Sequence, residues 1–277
     1  MKEVKLVLKK QPKVATDAEV VSPDHFAGKS PKEIGQLKVY HGRKELPLSE
    51  FFEIEGEAGS SPGETSILVR GDLKKFKRIG MRMSAGKVVI EGDVGLHLGA
   101  QMSGGEIILR GNAGQWLGAE MSGGIIRVEG DVGPLAAANY PGSVEGMRGG
   151  IIHVKGNVGE RLGRKMQRGT VIVEGDVGSF AGAMMRGGTI ILLGKAGEAL
   201  GYNMRRGTII SLSGELDLLP TFVYDCTYQP TFIKFYYVNL KKYGIELPKE
   251  FYDGVYDRYS GDLGELGKGE ILILKKQ

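Results

Sequence analysis

Residues 92–129 read GDVGLHLGAQMSGGEIILR followed by GNAGQWLGAEMSGGIIRVE, which are two units of equal length with one shared pattern. Glycine stands at positions 1, 4, 8 and 14 of both units, and methionine stands at position 11. Aliphatic residues occupy positions 16 and 18, so the end of each unit alternates as a β-strand does. An internal repeat of this regularity is the strongest indicator of fold class in the chain.

The same pattern extends in both directions from these two units. Successive units start nineteen positions apart, except that the first unit is slightly longer and the fourth has seven extra residues within Pro134–Gly146. Ser213 replaces the glycine that would open an eighth unit. The units begin at Gly71, Gly92, Gly111, Gly130, Gly156, Gly175 and Gly194. Their shared methionines are Met83, Met102, Met121, Met147, Met166, Met185 and Met204.

A unit this short cannot bury an apolar face alone, so successive units must stack on one another. It is also too short for the two helices of a helical solenoid, and four glycines would weaken them. The L-x-x-L-x-L pattern of leucine-rich repeats is absent from the sequence. We therefore predict an all-β fold, a single-stranded right-handed parallel β-helix of about seven to eight 19-residue coils, with mixed α/β caps at both ends.

The segments on either side of the repeat predict the caps, because the open ends of such a stack expose apolar residues and unpaired backbone. We expect an N-terminal cap segment at residues 1–55, the parallel β-helix at residues 56–214, and a C-terminal cap segment at residues 215–277.

Local signals indicate secondary structure within both caps. Ser30-Pro31-Lys32-Glu33 is a capping box with proline at the first helical position, which predicts a short helix near Ser30–Leu37. A hairpin is expected around a turn at His41-Gly42. In the second flank, Thr231–Tyr243 is predicted to be partly helical and Glu270–Leu274 to form a closing strand.

Two polar ladders recur with the unit. Asp or Asn usually follows the first glycine of a unit, where such residues favour hydrogen bonds within a local turn. The last position of successive units alternates in charge, which favours one register because adjacent strands then place opposite charges side by side. These alternating residues are Glu91, Arg110, Glu129, Lys155 and Glu174.

Composition narrows the class of protein. Glycine supplies 45 of 277 residues, about twice the usual share, and 41% of the residues are apolar, which favours an ordered repeat over disorder. The net charge of +4 is too small to indicate a nucleic-acid partner. Cys226 is the only cysteine, and the sequence has neither a signal-peptide pattern nor an 18-residue apolar run. We expect a cytoplasmic protein that does not bind membranes.

Residues that carry chemistry are scattered. The histidines His25, His41, His97 and His153 lack the close spacing of metal ligands. No Walker A loop or dinucleotide-binding fingerprint is present, and Gly-x-x-Gly recurs too often to mark a phosphate site. We therefore predict no catalytic, cofactor-binding or metal-binding residue in this chain.

Three features point instead to a partner interface. The middle residue of each strand should face outward yet is often aliphatic, which indicates either an interface or a surface covered by a flank. A basic edge on the later units indicates an anionic partner surface or solvated charge. The seven-residue insertion is expected to leave the stack and contact another subunit, unless it is an ordinary surface loop. The candidate residues are Tyr140, Pro141, Arg148, Arg168, Arg186, Arg205, Arg206, Ile108, Ile172 and Ile191.

The repeat resembles a known family. The G-D-V-G-x-x-x-G units with methionine three residues later are similar to the C subunit of formylmethanofuran dehydrogenase and, more distantly, to the C-terminal β-helical domain of glutamate synthase. Beyond the shared unit pattern, the resemblance rests on Phe26-Ala27-Gly28-Lys29-Ser30, His41-Gly42, Arg78-Ile79-Gly80-x-x-Met83 and Tyr259-Ser260-Gly261-Asp262. It covers nearly the whole chain. Lys74 and Ser213 depart from the pattern at the two ends of the stack.

The resemblance implies a non-catalytic scaffold subunit in a complex that reduces carbon dioxide and fixes it onto methanofuran, as in methanogenesis. It implies that other subunits carry a tungsten or molybdenum pterin, iron–sulfur clusters and a dinuclear metal site. The C subunit of a bacterial formyltransferase/hydrolase complex and a stand-alone structural domain like that of glutamate synthase remain alternatives. A β-helical polysaccharide enzyme would need acidic residues clustered on one outward face, whereas those of this chain are dispersed.

Overall fold

The computed structural model describes residues 1–214 and 216–275 of the chain. Glu215 and Gln277, where the expected C-terminal cap segment begins and ends, lie outside the described residues, as does Lys276. The strands are β1 (Lys2–Leu8), β2 (Thr16–Asp17), β3 (Lys38–His41), β4 (Lys44–Pro47), β5 (Phe52–Gly56), β6 (Thr65–Arg70), β7 (Phe76–Lys77), β8 (Lys87–Glu91), β9 (Glu106–Arg110), β10 (Ile125–Val128), β11 (Arg148–Val154), β12 (Arg168–Val173), β13 (Arg186–Leu192), β14 (Arg206–Ser211), β15 (Val223–Tyr228), β16 (Tyr256–Gly261) and β17 (Lys268–Leu274). The helices are α1 (Pro23–Phe26), α2 (Pro31–Gly35), α3 (Ile233–Lys242) and α4 (Lys249–Asp253).

The fold is mostly β, as the sequence predicts, and one sheet of 13 strands dominates it. Each repeat unit contributes one strand to this sheet, and strands β8 to β14 pair in parallel from each unit to the next. Equivalent positions face each other, so Val88 pairs with Ile107 and Ile107 with Ile126. Single bridges at position 3, from Leu73 through Val94 to Ala196, form a second line of contact between units.

The side chains that the repeat predicts to be internal do form one core. Val88, Ile90, Ile107 and Leu109 have no exposed surface and belong to a single apolar cluster. All seven repeat methionines are fully buried in the same cluster. The prediction of one continuous core is therefore confirmed, and it follows from the alternation of the strands.

The methionine of position 11 packs against the glycine of position 14 in the next unit. A Cβ atom at Gly150 would lie 2.6 Å from Cε of Met121, and one at Gly124 would lie 2.6 Å from Cε of Met102. Each methionine methyl group thus packs into the space left by the glycine of the following unit. Gly150 also has φ of +87°, a conformation that side chains other than glycine rarely adopt.

The glycine of position 8 faces a core strand of the next unit. A Cβ atom at Gly118 would lie 2.5 Å from Cδ1 of Ile152. The fourth unit has Ala137 at this position, and Val171 occupies the register position that Ile152 holds one strand earlier. The extra methyl group of alanine therefore coincides with the loss of a methyl group on the facing strand, which keeps the packing volume of the core nearly constant.

This pairing predicts a coupling between the two positions. Val171→Ile is expected to lower the free energy of unfolding by about 1 kcal/mol, because the added methyl group meets the Cβ of Ala137. Ala137→Gly in the same chain should remove most of that cost. Urea denaturation of both single variants and the double variant measures the coupling energy. Additive effects would show that the two side chains do not share the space.

Asp72 forms the local turn bond that we expected of the Asp and Asn ladder, since its Oδ1 accepts from the N–H of Lys74 at 3.2 Å. From Asp93 to Asp176, each side chain instead accepts a hydrogen bond from the backbone of the next unit. Oδ1 of Asp93 accepts from the N–H of Asn112 at 2.7 Å, and Oδ1 of Asn112 accepts from the N–H of Asp131 at 2.7 Å. The same bond recurs through Asp131, Asn157 and Asp176. A corner between units exposes unpaired N–H groups, and these side chains satisfy them.

Among the described residues, the charge ladder at the last position of the unit joins its own members by an ion pair at Glu91 and Arg110. Glu91 binds Arg70 and Arg110, each at 2.7 Å. Glu174 instead meets Nε2 of His153 at 2.7 Å.

Both flanks pair with the ends of the stack. Strand β1 lies parallel to β6 and antiparallel to β5, and β17 lies parallel to β14. The capping box of Ser30 and Glu33 is present at the start of α2. The expected hairpin forms from β3 and β4, with its turn one residue later, at Gly42 and Arg43.

Candidate partner interface

The structure locates the seven extra residues that the sequence places within Pro134–Gly146. The N–H of Ala137 still bonds to the carbonyl of Leu117 at 2.8 Å, and the N–H of Gly146 bonds to the carbonyl of Lys165 at 2.9 Å. Ala136, Ala137 and Ala138 are fully buried. Residues 134–138 therefore remain in the stack, and only residues 139–145 leave it.

The first part of the insertion folds back on the chain. The hydroxyl group of Tyr140 lies 2.9 Å from Nδ1 of His97, and its backbone N–H donates to Oε1 of Glu120 at 3.2 Å. The Tyr140 ring lies 5.4 Å from the His97 ring and 6.1 Å from the Trp116 ring, measured between centroids. Tyr140 is half-buried, whereas Pro141 is exposed and Val144 is 59% exposed. The most exposed part of the insertion is therefore its tip, at Pro141 and Val144, and not Tyr140.

The repeat itself builds the surface on which Tyr140 lies. His97 and Trp116 occupy position 6 of consecutive units and have φ of 65° and 61°, and their rings stack with centroids 5.2 Å apart. Three residues later the chain has Ala100 and Ala119, whose small side chains leave room above them. Tyr140 and Trp116 pack on these alanines and form a small apolar cluster that is separate from the main core. Sequence reasoning missed this surface, although two aromatic residues at one position of consecutive units would have indicated it.

Burial controls the protonation of the cluster. It lowers the pKa of His97 to about 4, and the nearby positive charges of Arg78 and Lys77 act in the same direction. Burial also raises the pKa of Tyr140 to about 12. At neutral pH the hydroxyl group therefore keeps its proton and can donate it to a neutral imidazole.

The pKa of His97 predicts that acid weakens the cluster. Its folded pKa of about 4 lies below the ordinary value of 6.5, so the unfolded chain binds the proton first as pH falls. Stability due to this group is complete above pH 6.5 and is lost progressively toward pH 4. His97→Asn should flatten this part of the stability–pH curve, as measured by urea denaturation at several pH values. His41→Asn is the control, and an equal flattening there would contradict the assignment.

The five arginines of the predicted basic edge are all exposed. Arg148 pairs with Arg168, and Arg186 with Arg206, on adjacent strands. Arg148 also binds Glu145 of the insertion at 3.2 Å, which joins the edge to the insertion. Arg205 binds Glu265 at 2.8 Å. Within residues 1–214 and 216–275, the side chains of Arg168, Arg186 and Arg206 make no hydrogen bond or ion pair.

Of the two alternatives for the outward aliphatic residues, cover by a flank is correct for Ile172 and Ile191, and their prediction as interface residues is wrong. Ile172 and Ile191 have no exposed surface, because helices α3 and α4 pack over them through Ile233, Leu240 and Phe251. These two isoleucines therefore belong to a second core inside the chain and cannot contact a partner.

The cover formed by helices α3 and α4 ends before the earlier units. Ile108 remains partly exposed beside a cavity of about 280 Å³, which Arg127, His153 and Tyr243 also line. Arg127 marks the edge of the cover, since Nη2 of Arg127 donates to the carbonyl of Tyr243 at 2.6 Å, just beyond the end of α3. Burial lowers the pKa of His153 at this edge.

Metal-ligating side chains do not converge in the part of the chain that the structure describes, where no group of three or more His, Cys, Asp or Glu could hold an ion. The helices of that part are also too short or too polar to cross a membrane.

The chain is similar over its whole length to a protein of known structure. A chain in the crystal structure of the formyltransferase/hydrolase complex from Methylorubrum extorquens, in complex with methylofuran, superposes with a TM-score of 0.89. The two are 34% identical, and the match covers 99% of this chain and 100% of that one. The C subunit of the molybdenum-containing formylmethanofuran dehydrogenase 1 of Methanosarcina barkeri is 53% identical over 98 residues, which are 35% of this chain and 33% of the relative. This chain belongs to the protein family that includes this chain of the formyltransferase/hydrolase complex and the C subunits of formylmethanofuran dehydrogenase.

Further comparisons agree with this family. The C subunit of the tungsten-containing formylmethanofuran dehydrogenase 2 of Methanothermobacter wolfeii is 39% identical over 98 residues, or 35% of this chain and 36% of that protein. Both of these matches span about a third of the relative's length. A family model described as GXGXG motif matches residues 141–220, which include the basic edge. The family predicted from the repeat and its flanks is thus confirmed.

Proposed function

We propose that this chain is the non-catalytic scaffold, or C subunit, of a formylmethanofuran dehydrogenase complex. The observation that carries the proposal is the whole-length superposition, with a TM-score of 0.89, on a chain of a multi-subunit complex that handles formyl groups. The sequence identity of 53% to the C subunit of an archaeal dehydrogenase favours the dehydrogenase among such complexes. In this proposal the other subunits carry the pterin, the iron–sulfur clusters and the dinuclear metal site, and the isolated chain is inactive.

The proposed architecture is a right-handed parallel β-helix between two caps, with boundaries near residues 55 and 214. Parallel pairing of strands one unit apart and the second line of bridges at position 3 support coils that wind around one core. Such a stack is stiff because each unit contacts only its neighbours through continuous backbone ladders, which suits a scaffold. A cytoplasmic location is part of the proposal and agrees with a single cysteine.

The partner interface of the proposal keeps most of the residues that the sequence singles out. Pro141 and the basic edge are exposed, and Ile108 is partly so. Tyr140 contributes indirectly, because it fixes the base of the insertion to the stack. Ile172 and Ile191 are removed from the interface.

The C subunit of a formyltransferase/hydrolase complex is the second candidate. The specific observation in its favour is that the match to that complex covers the whole chain, whereas the dehydrogenase matches cover about a third of it. A stand-alone structural domain like that of glutamate synthase is disfavoured, because the likeness extends through both flanks.

Purification of the native complex through a tag on this chain tests the proposal. We expect co-purification of subunits that bind tungsten or molybdenum, with formylmethanofuran-dependent dye reduction. Formyl transfer without dehydrogenase activity or pterin would support the second candidate. A chain that purifies alone under mild salt would contradict both. The recombinant chain by itself should catalyse neither reaction.

A further inference from the structure

The surface that holds Tyr140 recurs on the later units, but nothing in the described chain fills it there. Phe180 occupies position 6, as His97 and Trp116 do, and its φ of 63° matches theirs. Ala183 stands three residues later, as Ala119 does after Trp116, and in both units the alanine N–H bonds to the carbonyl of the aromatic residue at 3.2 Å. At positions 6 and 9 this unit therefore places an aromatic side chain beside an alanine, as the unit of Trp116 does. The preceding unit differs, because it has Arg161 and Arg164 at these positions and not a second aromatic residue and a second alanine.

The later copy is an open groove of about 320 Å³, which we call the Phe180 groove. Its lining consists of Arg161, Arg164, Phe180, Ala183, Met184 and Tyr202. Phe180 is 36% exposed and Tyr202 is 41% exposed, and their rings meet edge to face with centroids 6.0 Å apart. Exposed aromatic residues around a concave site are typical of protein contacts.

The charge of the lining restricts what can enter. Two guanidinium groups and no carboxylate line the groove among the described residues. The side chain of Arg164 reaches Oδ1 of Asn139 in the insertion at 3.4 Å, whereas the side chain of Arg161 makes no hydrogen bond or ion pair with the residues that the structure describes. An aromatic ring that enters would meet both the edge-to-face pair and cationic groups, and a carboxylate beside it would neutralise Arg161.

We propose that the Phe180 groove receives one aromatic side chain, flanked by an aspartate or glutamate, from a loop of another subunit. The chain's own Tyr140 is the internal precedent for the ring, since it lies on the equivalent surface with its backbone bonded to Glu120. A carboxylate next to the ring is expected because two arginines line the groove. This inference rests on the proposed function, because it places another subunit of the complex on the later units.

A photocrosslink within the native complex tests the groove directly. p-Benzoylphenylalanine replaces Tyr202 at the rim, or the exposed Tyr40 as the control. We expect the Tyr202 position to crosslink to another subunit within a few residues of an aromatic residue that adjoins Asp or Glu, and the Tyr40 position not to reach that segment. Mass spectrometry of the crosslinked peptides gives the position.

Charge reversal supplies the second measurement. Arg161→Glu should reduce the crosslink yield about tenfold or more, because it sets two carboxylates against each other. Exchange of the partner carboxylate for lysine should restore the yield, and Arg43→Glu, at an exposed turn, should leave it unchanged.

The outcomes separate this inference from the proposed function. A crosslink to a segment without an aromatic residue, or a yield that Arg161→Glu leaves unchanged, would overturn the groove while the complex stands. So would an intact complex with no crosslink from the Tyr202 position. A chain that purifies without other subunits would refute the proposed function, and the inference would fall with it.

Discussion

Met121→Asp is expected to lower the free energy of unfolding by about 4 kcal/mol or more, the largest effect that we predict for a single substitution in this chain. Met121 has no exposed surface and lies between Met102 and Met147 in a ladder without polar groups. Aspartate would leave the space beside Gly150 empty and bury a carboxylate with no donor among these neighbours. Urea denaturation, followed by the fluorescence of the single tryptophan, Trp116, measures the loss.

Met184→Asp is the matched control. Met184 stands one residue before a ladder methionine, is partly exposed and has φ of 57°, which aspartate tolerates better than methionine does. We expect a change within about 0.5 kcal/mol. Equal losses in the two variants would contradict an inward methionine ladder.

Ile191→Asp is expected to cost about 3 kcal/mol or more and to release the C-terminal cover. Ile191 is fully buried against helices α3 and α4. An aspartate there would place a carboxylate in the apolar contact between these helices and the sheet. Limited proteolysis should then cut between residues 229 and 255 much faster than in the unaltered chain, because local opening exposes those helices. Ile108→Asp makes the same change at the same repeat position where the cover is absent, and it should leave the cleavage rate nearly unchanged. Equal cleavage of both variants would show that the cover does not depend on Ile191.

The periodic part of the fold could be predicted because its determinants are local. Two aliphatic residues at alternate positions and a glycine every few residues are visible within one unit, and they determine which side chains face inward. The strand register and the buried methionines follow from these signals. Their exact recurrence from unit to unit carries the prediction through the whole stack.

The surface could be predicted only in part, because covering segments come from far along the chain. Ile108 and Ile191 are the same residue at the same repeat position, yet only Ile191 lies beneath α3, which follows more than two repeat units later. Tyr140 binds a histidine 43 residues earlier, which no local pattern indicates. The arginines of the basic edge are exposed, because a charged side chain on a strand edge faces water unless something specific covers it, and their role as an interface stays a prediction.

The backbone repeats with every unit, whereas the side chains of the aspartate and asparagine ladder repeat only with every second unit. From Asp93 to Asp176 the charged and neutral side chains alternate, and the ladder that begins with Glu91 and Arg110 alternates in the same phase. Removal of residues 111–129 alone would place Asp93 beside Asp131 and Arg110 beside Lys155, about 4.8 Å apart. Removal of residues 92–129 would keep both ladders as they are. From Asp93 to Asp176 the electrostatic repeat is therefore a pair of units, and we expect removal of two units together to cost less than removal of one.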